Sequence, residues 1–284
     1  MGDFVVAPAS VADMGLIADW AAAEGWNPGL GDERLFFPVD PEGFLVGRLD
    51  GRPVSSISAI RYGVGHGFIG LHLTVPEQRG LGYGRRTWQA GLQRLTNRNV
   101  GFDGAVTRRG RYRESGFRHY WDTHRFRGVA RVDGAPAGTA VVDARQLGFD
   151  RLTAYDQRFF PTDRSTFLAL WISAPRRRAL AALRDGALVG LGVRRPAGDV
   201  FRIGPLYADS PGTARLLLEA LTSGDEDDRP DEIILDVPDL NRDGIALAEQ
   251  AGLTPIFETA RMYTGDRPEI DVDGIYSVAS LELG

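Results

Sequence analysis

Thr74-Val75-Pro76-Glu77-Gln78-Arg79-Gly80-Leu81-Gly82-Tyr83-Gly84-Arg85 is the stretch from which the fold is read. Before it runs an apolar segment, GFIGLHLTV at 67–75, with the length and β-branched content of a strand. After it, residues 84–97 carry Trp88, Leu92 and Leu95 at i, i+4 and i+7, the spacing of an amphipathic helix. The stretch is therefore a strand-to-helix turn. Glycines at alternating positions let the backbone turn sharply and present consecutive N–H groups, which with the helix dipole make a site for a pyrophosphate. Arg79 can add a charge-assisted hydrogen bond to the same anion. Two familiar nucleotide loops do not fit, because the glycines run 80, 82, 84 and the chain has no Lys for a Walker loop.

Working outward, residues 9–24 read as an amphipathic helix with Ser10 as N-cap and Met14, Leu16, Ile17 and Trp20 as its apolar positions. Strands at 43–49 and 54–60 flank Asp50-Gly51, a type I′ hairpin turn. A strand at 100–106, a helix at 111–115 and a strand from Phe117 complete the first half. The second half repeats the order. A helical stretch from Arg176 to Leu183 precedes the hairpin turn Asp185-Gly186, and a strand follows at 200–208. Then come a helix at 213–222, the strand EIILDV at 232–237, a helix at 241–251 and Gly252-Leu253, which stands where Gly116-Phe117 stood. Positions 50, 69 and 116 recur at 185, 203 and 252, offsets of 134 to 136, which indicates a duplication. The expected organisation is a domain over 1–132, a linker over 133–148 containing Gly134, Pro136 and Gly138, and a second domain over 149–284.

The 284 residues include no Cys, and all 33 basic residues are Arg. Disulfides, thiolate nucleophiles, Cys-ligated metals and Schiff-base lysines are thereby excluded. The four His (His66, His72, His119, His124) all lie in the first half, so His-dependent chemistry belongs there. Net charge is −5, which argues against nucleic acid despite the patch Arg108, Arg109, Arg111 and Arg113. The acidic run Asp225, Glu226, Asp227, Asp228, Asp231 and Glu232 reads as a solvated loop, and Arg176-Arg177-Arg178 as a surface helix start. No apolar run has the length of a membrane span, and MGDFVVAPAS lacks a signal peptide's basic start, so a cytoplasmic protein without membrane association is expected.

The loop contains R-x-x-G-x-G (Arg79, Gly82, Gly84), and Tyr112-Arg-Glu-Ser-Gly116-Phe117 follows after a helix and a strand. This pair of motifs resembles the Gcn5-related N-acetyltransferase (GNAT) superfamily. The segment Glu24-Gly-Trp26-Asn27-Pro28-Gly29 and the repeat resemble its bacterial tandem subgroup. The resemblance implies a mixed α/β (α+β) fold: two tandem GNAT-like domains, each a central mixed, splayed β-sheet flanked by helices. It implies acetyl-CoA as cosubstrate, with the pyrophosphate on Arg79, Gly80, Leu81, Gly82, Tyr83, Gly84 and Arg85. The pantetheine arm would pair with Leu73, Thr74 and Val75, and Tyr112 would protonate the leaving thiolate. The acceptor is expected to be a small-molecule amine, with Trp26 and Asn27 as contacts. A phenol of pKa about 10 is a suitable donor to a thiolate whose acid is near 8.5.

His72 could take the amine's proton through water, with Asp103 and Glu114 as other candidate bases and Asp103 also a candidate substrate contact. The alternative to an enzyme is a non-catalytic acyl-CoA sensor or interaction module with the same fold. In the second half Asp209-Ser-Pro-Gly-Thr213 replaces the loop and Ala248 replaces Tyr112, so one coenzyme site per chain is expected, with no metal. The chain is expected to be a monomer or homodimer.

Overall fold

The computed structural model describes residues 2–132, 138–223 and 231–284, and everything below concerns these. The first half runs β1 (Phe4–Pro8), α1 (Val11–Ala23), α2 (Asp32–Phe36), β2 (Phe44–Leu49), β3 (Arg52–Tyr62) and β4 (His66–Thr74). It continues with α3 (Tyr83–Arg94), β5 (Asn99–Ala105), α4 (Arg109–Glu114) and β6 (Arg118–Gly128). The second half runs β7 (Ala140–Asp143), α5 (Phe149–Asp156), α6 (Ser165–Ser173), β8 (Arg178–Arg184), β9 (Ala187–Ala197) and β10 (Val200–Ala208). It ends with α7 (Pro211–Thr222), β11 (Ile233–Pro238), α8 (Arg242–Gln250), β12 (Thr254–Tyr263) and β13 (Ile275–Ser277).

Local chemistry accounts for the first-half elements. Ser10 and Asp13 form a capping box at the start of α1, and Arg48 holds the same Asp13 carboxylate at 2.7 Å, tying the helix to β2. Asp50 and Gly51 both have positive φ, as a type I′ turn requires, and Asp185 and Gly186 repeat this between β8 and β9.

Among the described residues the strands form one sheet, in the order β1-β2-β3-β4-β5-β12-β6-β11-β10-β9-β8-β7, with β13 paired to β10. The repeat is thus visible as a pseudo-two-fold, but the last strands are exchanged. β12 pairs with β5, and β6 pairs with β11, so each half-sheet is completed by a late strand of the other half. One face carries α1, α2, α5 and α6 over a shared core in which Trp171 stacks on Phe36 and Phe167. Each such buried aromatic contributes about 1.5–3 kcal/mol relative to exposure. The other face carries separate cores, one with Trp88 and Phe102 and one with Leu217, Leu218 and Leu247.

Three expectations are corrected here. The stretch from Arg176 to Leu183 is not helical; it contains strand β8. Ala179 and Ala181 pack into the shared core while Leu180 and Ala182 face the opposite one, so both faces are apolar and the alternation that marks a strand is missing. Arg177 is buried rather than a surface residue. The expected linker contains β7, which pairs with β8, while Gly134 and Pro136 lie outside the described residues, as do Asp225, Glu226, Asp227 and Asp228. Helices α5 and α6 have no counterpart in the sequence reading.

Candidate active site

Strands β4 and β5 run parallel and pair from His66↔Asn99 to Ile69↔Phe102, and there the pairing stops. Beyond it β4 bulges: Leu71 has φ +45° and the register against β3 shifts between Ser56 and Ser58. Leu73, Thr74 and Val75 therefore follow the point where β4 leaves β5, with one side of the strand held by β3 and the other facing a cleft.

At the end of that cleft stands α3. Its N-cap is Gly82 at φ +89°, a left-handed conformation that a side chain would strain, and no side chain caps the helix. Its first intrahelical bond is Arg86 N–H to Gly82 O, so the amides of Tyr83, Gly84 and Arg85 have no partner within the helix. Gly80 also has positive φ, while Leu81 and Arg85 are exposed beside the turn. The glycine-rich turn thus leads into a helix whose first amides are uncapped. Arg79 also makes contacts that the sequence did not suggest. Its Nε donates to Thr74 O at 2.9 Å and its Nη2 pairs with Glu24, so it braces the turn against the strand and the end of α1.

His72 and Tyr112 both pack on Trp88, with ring centroids 5.1 and 5.8 Å from the indole, and the Tyr112 ring lies over Gly104. The two are thus brought to one wall of the cleft without touching. His72 Nε2 donates to Gly84 O at 2.9 Å, which makes Nδ1 the basic nitrogen. Burial, helped by the nearby Arg108 cation, holds His72 below its ordinary pKa against the pull of that hydrogen bond. Burial pushes Tyr112 up, so it stays protonated; Arg108 and a backbone hydrogen bond with Ala105 oppose this. Glu114 is exposed on α4.

The opposite face brings in residues the sequence reading did not single out. Trp26 and Asn27 follow α1, and their carbonyl oxygens accept from Arg125 (2.7 Å) and Arg202 (3.2 Å). Those two guanidinium groups share the buried Asp236, at 2.6 and 2.7 Å. Burial would raise Asp236, yet the two cations pull it down to about 2. Arg202 also reaches Glu282, which Ser280 holds from the other side. The Asp103 carboxylate is buried in a two-bond fork from Arg261 on β12, both bonds 2.7 Å. No local signal marks Arg125, Arg202, Arg261 or Glu282, because their oppositely charged partners lie 34 to 158 positions away.

In the second half the corresponding cleft is closed. Parallel pairing of β10 with β11 stops at Ile203↔Leu235, and β13 enters the gap, pairing with β10 at Leu206↔Ser277 and Tyr207↔Ile275. Ser277 Oγ bonds Ile203 O and Asp236 N, and Val278 N–H donates to Asp236 O. Helix α7 is capped by Ser210, which accepts from Thr213 N–H, and Pro211 removes a donor. The Asp209 carboxylate beside it is held by Tyr155 and Arg158. No group of three or more potential metal ligands occurs among the described residues, and no helix there is long and apolar enough to cross a membrane.

Comparison with known proteins agrees with both halves. The model described as the acetyltransferase (GNAT) family matches residues 14–107, and that described as an acetyltransferase (GNAT) domain matches residues 152–277. The holothin acyltransferase of Pseudoalteromonas sp. (strain SANK 73390) is 32% identical over 281 residues, covering 98% of this chain and 93% of its own. A Pyrococcus horikoshii protein assigned as an acetyltransferase superposes with TM-score 0.81 at 20% identity, covering 99% of this chain and 96% of its own. A tandem GNAT protein from the clavulanic acid biosynthesis pathway gives 0.65 at 16% identity, covering 93% and 100%. The chain, with its splayed first cleft, its glycine-started helix and its repeated fold, belongs to the GNAT acyltransferase family in tandem-domain form.

Proposed function

We propose that the chain is an N-acetyltransferase that moves the acetyl group of acetyl-CoA to a primary amine of a small molecule, using its first half alone for coenzyme binding. The uncapped α3 terminus beside the β4–β5 splay carries this reading, because three backbone donors and a helix dipole suit a pyrophosphate, whereas in the second half the helix start is capped and β13 fills the splay. Leu73, Thr74 and Val75 would pair with the pantetheine arm, and backbone N–H groups there would polarise the thioester oxygen. The neutral amine attacks the thioester carbon, the carbon–sulfur bond breaks, and Tyr112 gives its phenolic proton to the departing thiolate. His72 Nδ1 is the candidate acceptor, through water, of the proton the amine loses. The relative named as an acyltransferase supports group transfer over a purely sensing role.

Isothermal titration with acetyl-CoA, followed by thiol release with an amine panel, tests this reading. One site per chain is expected. Tyr112→Phe should lower kcat by about 10²–10⁴ while leaving the acetyl-CoA Kd within about twofold. Binding without transfer in the wild type would favour the sensor, and an unchanged rate in Tyr112→Phe would remove Tyr112 as the acid.

A further inference from the structure

Tyr112 stands on α4, a helix of six residues with no side-chain cap at its start, too short to hold its own shape in water. The direction of its phenol is therefore set by what anchors the helix. At the C-terminal end the Tyr112 carbonyl accepts from Ser115 N–H and Phe117 N–H across the turn that Gly116 makes at φ +89°. At the other end Arg109, one turn before Tyr112, reaches out of the helix, and its Nη2 donates to the Asp122 carboxylate on β6. Between the two anchors the phenol meets the main chain of Ala105, the last residue of β5, where that strand has already parted from β4.

Asp122 is itself held from outside α4. The oxygen it offers Arg109 also accepts from His119 Nε2 at 2.8 Å. Its main chain is pinned by the second half: Asp239, just past β11, donates its N–H to Asp122 O at 2.8 Å and accepts the Asp122 N–H on Oδ1 at 3.2 Å. The second repeat supplies a control. Gly116 and Gly252 set the repeats 136 positions apart, so Arg109, Tyr112 and Asp122 correspond to Ile245, Ala248 and Glu258. Ile245 carries no charge, and the exposed Glu258 lies 3.9 Å from His124 instead. Where the phenol is absent, the tether is absent too.

We propose that Asp122, acting through Arg109, is a positioning residue for the transfer reaction: it fixes α4 so that the Tyr112 phenol faces the departing thiolate, and through Asp239 it gives the second half a part in the chemistry of the first. The inference rests on the transfer function proposed above and names what holds its acid in place. Misplacing a reacting group by about 1 Å costs up to about a hundredfold in rate, and a phenolic oxygen far from the axis of so short a helix moves that distance when the helix turns slightly.

A double-mutant cycle, read by steady-state transfer from acetyl-CoA to the best amine of the panel, tests it. Asp122→Ala should lower kcat by about ten- to a hundredfold and leave the amine KM and the acetyl-CoA Kd within about twofold. Made on top of Tyr112→Phe, the same substitution should lower kcat by no more than about twofold, because the acid it positions is already gone. Asp122→Asn keeps an oxygen for Arg109 and should recover most of the rate. Arg109→Met cuts the tether but leaves Asp122 with His119 and Asp239, so it decides the question even if Asp122→Ala fails to fold. It should repeat the kcat loss and lose nothing further in the Tyr112→Phe background. An unchanged kcat in Arg109→Met, or losses of equal size with and without Tyr112, overturns the inference and leaves acetyl transfer standing. No loss in Tyr112→Phe itself removes the acid and this inference with it, and failure to bind acetyl-CoA or to acetylate any amine overturns the transfer reading as well.

Discussion

The cleft between β4 and β5 and the cleft between β10 and β11 are the same piece of architecture with opposite outcomes. The first opens onto a helix whose leading amides are free of caps. The second holds β13 and faces a helix sealed by Ser210 and Pro211. The second half has supplied from its own chain what a ligand would supply: a strand for the unpaired edge of β10 and a hydroxyl for the helix terminus. A duplicated fold can thus fill one of its two splays from its own chain while keeping its shape, because an unpaired strand edge accepts any backbone partner. In return the second half contributes Arg125's partner Asp236, as well as Arg202 and Glu282, to the surroundings of the first cleft.

The contrast can be tested most severely by separating the halves. A fragment ending at residue 132 leaves β5 without β12 and β6 without both neighbours, so it should show no cooperative urea transition, whereas the full chain should. A cooperative transition and acetyl-CoA binding by the fragment alone would show that the strand exchange is dispensable. Next in size, Gly82→Val puts a β-branched residue at φ +89° in an exposed turn with no atom within 4 Å of the new Cβ. It should weaken acetyl-CoA binding by about a hundredfold through the helix terminus, and the strain of a β-branched residue at positive φ should also cost about 1–3 kcal/mol of stability.

A smaller effect comes from pH. His66 starts β4 inside a box of Tyr62, Phe160 and Tyr263, and burial pulls it down to about 4; its counterpart at the start of β10 is Val200. Below its unfolded pKa of about 6.5 the unfolded chain takes up a proton that the folded chain refuses, so stability is retained above that value and lost as pH falls toward 4. Between pH 7 and pH 5 the wild type should lose about 2 kcal/mol more than His66→Phe in urea titrations. Equal losses would mean that the ring is solvated on the measured timescale. Least of all should change in Ser210→Gly combined with Pro211→Ala. Uncapping α7 costs up to about 1 kcal/mol and creates no second coenzyme site while β13 fills the gap. A stoichiometry of two would show that the cap, not the strand, closes the second cleft.

The short-range features were legible because their causes are short-range. Asp50-Gly51 needs positive φ whatever surrounds it, Ser10 caps the three residues that follow, and the glycines at 80 and 82 shape their own turn. The helix misread over 176–183 failed for the opposite reason: β8 is covered on both faces, so burial erased the pattern that distinguishes a strand. Arg79 stands in the loop where the sequence placed it, and its contact with Glu24, 55 positions away, arises only through the fold. Asp103 stands on the expected strand, and its occupation by Arg261 depends on β12 crossing into the first half-sheet.

By itself the sequence determined the duplication, the strand–turn–helix with its glycine-rich start, the aromatic candidate at Tyr112 and the loss of the loop motif in the second repeat. All of these are set by neighbours along the chain and by the spacing of residue types. The exchange of β6 and β12, the plugging of the second cleft by β13, and the arrival of Glu282 beside the β4 bulge were decided only in the tertiary structure. Backbone hydrogen bonds carry no record of which chemically similar strand edge they join. The choice between equivalent edges is made by packing the whole chain at once, burying a core that both halves share on one face and pairing buried charges across them.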